Sequence, residues 1–382
     1  MLINCKKCKN FILYFLSTIS TVICCTCLAI RTYDFFHDNL NFFEVFAIGF
    51  IMSQGKSDNP ASNIDASCCN PNEIISLDTH KPTNTDTHTD ETASNNDGTE
   101  STQSVELSQD ITDYEIPHGN NEKTFKILES HFGDTGIKFE NFYVNNKSGI
   151  ELNVAEELAK KPDMSIKKDG SPQVLIYHTH TCESYMDKDQ GFFYESFYPR
   201  TEDKRYSVVR VGNAICESLQ KAGIGSIHDT TCHDFPSFNG SYKRSSQTID
   251  RNLTENPSIQ VTIDIHRDTV GTNEHGKIKP TFKVGNRKAA QIMIMAGCDL
   301  DGSMAFPDWE YNLRFALRLQ KTAEALYPGM TRAMFFGPVK YNMNKTHSSL
   351  LIEVGTDVNT LNEAVFTGSL LGNVLVKVFE EI

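Results

Sequence analysis

The sequence predicts an α/β domain built on a mostly parallel sheet of about six strands with flanking helices, carried behind a transmembrane helix and a disordered acidic spacer. Three observations predict it. An uncharged run fills Phe11 to Ile30, a long polar tract follows, and from residue 124 onward short apolar runs alternate with amphipathic segments.

The run from Phe11 to Ile30 is interrupted only by Ser, Thr and Cys, and as a helix it has the length to cross a bilayer core of roughly 30 Å. Lys6, Lys7 and Lys9 precede it and a single arginine, Arg31, follows. This bias orients the N-terminus to the cytoplasm and everything downstream to the outside. A cleaved signal peptide is the competing reading, but the run is long for one and no small-x-small cleavage site follows it. The next apolar patch, FFEVFAIGFIM, contains Glu44 and is too short to span. It is expected to lie at the membrane surface or to pack on another element. The expected divisions are therefore a stub and anchor over 1–35, a juxtamembrane segment and linker over 36–123, and a globular domain over 124–382.

Residues 53–123 are dominated by Ser, Thr, Asn and Asp and hold 14 acidic residues against 3 lysines, most of the chain's net charge of −13. Such a tract buries too little apolar surface to offset the entropy of ordering, and its charge keeps it extended. The domain that follows is close to neutral and lacks the basic footprint of a nucleic-acid binder. Of the 11 cysteines, five lie in or before the apolar run, and Cys5-x-x-Cys8 has no second pair to complete a zinc site. Cys182, Cys216, Cys232 and Cys298 are widely spaced and do not read as a disulfide framework.

Within the domain, VLIYH (Val174–His178) reads as a buried strand. Val208, Val211, Ile215 and Leu219 then recur at helical spacing until Gly223. A weak strand near 225–228, a polar helix near 245–253 and the strong strand VTIDIH follow. QIMIMAG, AMFFGP and SLLIEVG are further strands. A helix from Asp308 to Leu326 stops at Pro328, and an amphipathic helix closes the chain. Strands alternating with helices argue for a parallel sheet.

In such sheets ligands collect where the strands end. Three separate runs finish in groups able to bind a metal or move a proton: His178 and His180, then His266, then Glu353. His180 and Glu183 form an H-x-x-E turn, able to present an imidazole and a carboxylate to one ion, and His266 completes a His-Glu-His set that leaves one position open, as in catalytic zinc sites. Glu353, embedded in LLIEVG, is costly to bury unless it is paired or functional, and is the candidate proton carrier. His178 is the alternative to His180, since residues two apart share a strand face, or else a contact to the substrate. Arg267 could bind a substrate carboxylate or make a plain salt bridge. Cys182 as a nucleophile is a further alternative, without any local signature for it. Trp309 is expected to be packing.

Together VLIYHTHTCESY, VTIDIHRD and SLLIEVGT resemble the stage II sporulation protein P family, over roughly residues 140–382. The family itself resembles zinc N-acetylmuramoyl-L-alanine amidases, and a zinc amidase- or carboxypeptidase-like fold is expected with it. The resemblance implies one zinc ion per domain, cleavage of the muramoyl–L-alanine amide of peptidoglycan, and an added endopeptidase action on stem-peptide cross-links. It also implies action at the septal membrane during engulfment, with a sporulation lytic transglycosylase and a membrane partner. Carried over by position, His180 (or His178), Glu183 and His266 surround the metal and Glu353 is the acid-base. The usual zinc amidases take their carboxylate ligand from a helix, where this chain offers only Glu217, the less favoured ligand. His347, in NMNKTHSS, is substrate-facing or a loop residue. Two alternatives remain: a catalytically silent wall-binding scaffold, and a zinc carboxypeptidase or hydrolase of another amide, for which Arg267 or Arg244 would have to supply a cation to a terminal carboxylate.

Overall fold

A computed structural model describes residues 111–382. The expected anchor, the juxtamembrane segment and most of the spacer lie outside the described residues. Among those described, no helix is long and apolar enough to cross a membrane. Residues 111–123, grouped by composition with the spacer, lie against the domain: the Ile111 amide donates to Asn362 Oδ1 at 2.8 Å, and the Tyr114 hydroxyl to the Tyr185 carbonyl at 3.1 Å.

The principal sheet has eight strands. In spatial order they are β2 (Ile137–Phe139), β3 (Phe142–Asn146), β12 (Met334–Gly337), β11 (Ile292–Gly297), β13 (Ser348–Thr356), β7 (Val261–Asp268), β4 (Pro172–Tyr177) and β6 (Gly225–His228). β2–β3 and β11–β13 pair antiparallel, and the other neighbours pair parallel. A second sheet joins β10 (Arg287–Ala290), β9 (Gly276–Val284), β1 (Thr124–Ser130) and β5 (Phe192–Tyr194), with β8 (Gly271–Thr272) against β9. In it only β1 and β9 run parallel.

The architecture is therefore α/β but mixed, which corrects the expectation of one mostly parallel sheet of about six strands. The extra strands are short or mixed in polarity. β1 faces largely outward. β9 and β10 form a hairpin across Gly285–Asn286, where Gly285 takes a left-handed φ of 58°, the backbone a two-residue hairpin turn requires.

The buried strands alternate as extended chain must. Val174 and Ile176 join the large core under α2 (Val209–Lys221), α4 (Trp309–Leu326) and α5 (Leu361–Glu381), while Leu175 and Tyr177 point the other way onto Ile249 of α3 (Ser241–Glu255). Helices thus cover both faces. α5 begins at a capping box, in which Thr360 and Glu363 satisfy each other's backbone amides. It packs tightly on α2 because Gly372 leaves room: a Cβ there would lie 2.5 Å from that of Ser218. Trp309 packs against Phe336, as expected. A short helix, α1 (Val154–Ala159), completes the fold.

Candidate active site

Parallel register brings the expected strand ends to one edge. Tyr177 of β4 pairs with Asp264 of β7, and His266 of β7 with Glu353 of β13. The chain leaving β4 turns at once, the Glu183 amide donating to the His180 carbonyl at 3.1 Å. Both side chains of the H-x-x-E turn are thereby folded back over the end of β7.

His180, Glu183 and His266 are buried neighbours. His266 Nδ1 lies 3.7 Å from Glu183 Oε2, and the His180 and His266 rings stand nearly perpendicular, 5.2 Å between centroids. Phe238 stacks on His180 at 4.3 Å, and Tyr242 lies parallel to His266. Two buried polar atoms at this edge, His180 Nδ1 and Glu353 Oε2, lack a hydrogen-bond partner, and a third, His266 Nε2, has only its ion-pair contact to Asp264. Unpartnered buried groups are costly, and imidazole and carboxylate atoms left in this way suit a divalent ion and a polar substrate.

The other sequence candidates are placed differently. Both nitrogens of His178 are engaged: Nδ1 with the Ile265 carbonyl at 2.9 Å, and Nε2 with His228 Nε2 at 2.8 Å. Gly212 makes room for that pair, since a Cβ there would meet His228 Nε2 at 2.4 Å. Arg267 fastens the loop beneath the site. Its Nε donates to the Ser184 carbonyl at 3.1 Å, one terminal nitrogen to the Pro199 carbonyl at 2.7 Å and the other to Thr269 Oγ1 at 3.0 Å, while its backbone amide donates to Glu183 Oε2 at 3.0 Å. Arg244 likewise donates to the carbonyls of His233, Asn239 and Ser237. Glu217 is exposed on α2 and is not brought to the cluster. His347 precedes β13, at the far end of that strand from Glu353, and pairs with Asp163.

Two features escaped the sequence reading. Asp264, two residues before His266 and on the same strand face, is fully buried. It sits 3.0 Å from His266 Nε2, off the hydrogen-bond axis, and accepts from the Thr179 amide at 2.8 Å and its hydroxyl at 2.6 Å. A carboxylate so placed orients an imidazole and sets which nitrogen is free, and the D-x-H pattern in VTIDIH was its signal. The second feature is Cys232 and Asp234, which meet Cys182 beside His180. Among the described residues these three form the one group of metal-ligating side chains whose donor atoms all lie within 4.8 Å of one another. His180, Glu183 and His266 are adjacent without closing to that degree.

Electrostatics separate the roles. Burial raises the Glu353 carboxyl to about 8, Asp268 and Glu183 adding to the rise while His266 and Arg332 oppose it. For His266 burial opposes the charge, but Asp264, Glu183 and Glu353 outweigh it and lift the imidazole to about 10. Burial drives His178 down to about 4, so this histidine is neutral near pH 7. Burial also pushes the Glu183 carboxyl upward, against the pull of Arg267 and His266.

The family model described as Stage II sporulation protein P (SpoIIP) matches residues 56–376. The chain belongs to that family. A curated relative, Stage II sporulation protein P of Bacillus subtilis, is 28% identical over 234 residues, 56% of this chain and 54% of that protein. The SpoIIP-family chain thus spans about half the length of the relative it matches. Among solved structures, the N-acetylmuramoyl-L-alanine amidase AmiC2 of Nostoc punctiforme aligns at 12% identity over 56% of this chain and 98% of that one, with a TM-score of 0.30. The CwlD amidase of Clostridioides difficile, solved with the GerS lipoprotein, aligns at 9% identity over 55% and 100%, with a TM-score of 0.34. Overlap this weak carries no inference about chemistry.

Proposed function

We propose that this SpoIIP-family chain is a membrane-anchored, zinc-dependent peptidoglycan hydrolase. It cleaves the amide between the lactyl group of N-acetylmuramic acid and L-alanine, with stem-peptide cross-links as a second target, in the septal wall during engulfment. A lytic transglycosylase that cuts the glycan strand and a membrane partner belong to the same reading. The observation that carries it is the meeting of His180, Glu183, His266 and Glu353 at one sheet edge, with His180 Nδ1 and Glu353 Oε2 buried and unpartnered.

His180, Glu183 and His266 would hold the zinc. His180 is favoured over His178 because both nitrogens of His178 are engaged elsewhere. Zinc in such a site supplies Lewis acidity toward the scissile carbonyl and lowers the pKa of water. Asp264 holds His266 through its Nε2 side and leaves Nδ1 facing Glu183. Burial raises the Glu353 carboxyl, and a zinc cation held beside it would favour the ionised form that can accept a proton. As water attacks the carbonyl carbon, Glu353 takes the water proton; as the C–N bond breaks, it returns a proton to the departing nitrogen of L-alanine. The carboxypeptidase alternative loses support because the donors of Arg267 and Arg244 are already committed to main-chain carbonyls and Thr269.

Purified sacculi digested with the full chain, with and without chelator, test the reading. New L-alanine amino termini, lost on chelation and restored by zinc, are expected. Muropeptides trimmed only in the stem, with the lactyl–alanine link intact, would move the assignment to a peptidase. No cleavage by zinc-loaded protein would leave the scaffold reading.

A further inference from the structure

The loop that carries His180 and Glu183 has a second set of potential ligands on its other side. Cys182 Sγ lies 3.5 Å from Cys232 Sγ, and Cys232 Sγ lies 3.7 Å from Asp234 Oδ1. With zinc–sulfur and zinc–oxygen bonds of about 2.3 and 2.1 Å, two tetrahedral ligands stand roughly 3.5 to 3.8 Å apart. The observed edges match this spacing. They are much longer than the S–S bond of about 2.05 Å in a disulfide.

The surroundings are fixed from several directions. The Cys182 amide donates to both oxygens of Asp234, at 3.2 and 3.3 Å, and Arg200 pairs with Asp234 Oδ2. The Thr181 hydroxyl donates to the Thr231 carbonyl at 2.9 Å, and His233 Nδ1 donates to the His178 carbonyl at 2.7 Å. Two loops separated by some fifty residues are thus held in register around the thiols. His180 Nδ1, the atom already offered to the strand-end set, lies 3.9 Å from Asp234 Oδ2 on the near side of the cluster. Arg200 offsets the negative charge that two thiolates and a carboxylate would gather.

We propose that Cys182, Cys232 and Asp234 form a second metal site, selective for a thiophilic divalent ion of the zinc class, with its fourth position facing His180. Two thiolates favour zinc-like ions over magnesium or calcium, which prefer oxygen ligands. Occupancy would fasten the H-x-x-E loop to the segment after β6. The site stands whether or not His180, Glu183 and His266 bind zinc.

Cobalt titration of the reduced full chain tests it through the thiolate-to-cobalt charge-transfer absorption. A saturable band is expected, retained in His266→Ala. In Cys232→Ser and Asp234→Asn the affinity should fall by at least about tenfold, the low end for disturbing even the outer shell of a metal site. A band that survives Cys232→Ser unchanged, or none in the wild type, overturns the proposal. Should the variants fail to fold, alkylation of the wild type decides: zinc should slow modification of Cys182 and Cys232 by at least the same factor and leave Cys216 unaffected. Equal rates with and without zinc, or recovery of Cys182 and Cys232 joined as a disulfide from protein purified under reducing conditions, would overturn it.

Discussion

The two ligand sets on either side of the 178–186 turn differ in how they are built. His266 and Glu353 are set side by side by sheet register, and His180 and Glu183 reach them on the turn that leaves β4. Cys182, Cys232 and Asp234 come from two loops held by side-chain and main-chain hydrogen bonds. The first set is adjacent but open, whereas the second is nearly closed. Strand register supplies proximity, and loop hydrogen bonding supplies the last ångström. An open set with unpartnered atoms leaves room for substrate; a closed one suits a structural ion.

The largest expected effect separates the sets by chemistry. Glu353→Gln should reduce release of L-alanine termini by about 10² to 10⁴, the usual contribution of a general acid-base group, while zinc content measured on the same sample stays unchanged. Loss within a few-fold of wild type would remove Glu353 from the reaction.

A smaller effect concerns the base of the loop. Arg267→Ala deletes three side-chain hydrogen bonds that tie Ser184, Pro199 and Thr269 together. A loss of stability on the order of 3 kcal/mol is expected in denaturant unfolding, since buried acceptors are left unpaired. A loss below about 0.5 kcal/mol, the usual range for a surface change, would mean that the turn holds itself.

The smallest effect is a pH slope in chelated, metal-free protein. The Glu353 carboxyl sits near 8 when folded, against its ordinary 4.5. Below 4.5 both states keep the proton; between 4.5 and 8 only the folded state keeps it, so stability falls across that window and the loss is complete above it. His266, lifted from 6.5 to about 10, acts with the same sign over a more alkaline range. Glu353→Gln should therefore remove the slope due to Glu353, at most about 1.4 kcal/mol per pH unit, stabilising the metal-free protein at pH 8 and leaving it little changed at pH 4. Equal effects at both pH values would show that the carboxyl is not held protonated.

Much of this site was legible in the sequence because parallel strands convert a period-two pattern into a shared edge. VLIYH, VTIDIH and SLLIEV are apolar enough to be central strands, so the polar residues that end them had to meet. The β9–β10 hairpin was not seen, although Gly285–Asn286 is a turn signal, because the flanking residues are mixed in polarity. Arg267 could not be told from a substrate-binding arginine, since its partners are main-chain carbonyls that no side-chain pattern encodes. Cys232 and Asp234 follow the short, weak strand β6, and their approach to Cys182 depends on two loop conformations rather than on register.

X-ray diffraction at the zinc absorption edge, on crystals of zinc-loaded protein, tests the central claim most directly. An anomalous peak bounded by His180, Glu183 and His266, within reach of the Glu353 carboxyl, is predicted. A peak confined to Cys182, Cys232 and Asp234, with the histidine set empty at saturating zinc, would contradict it.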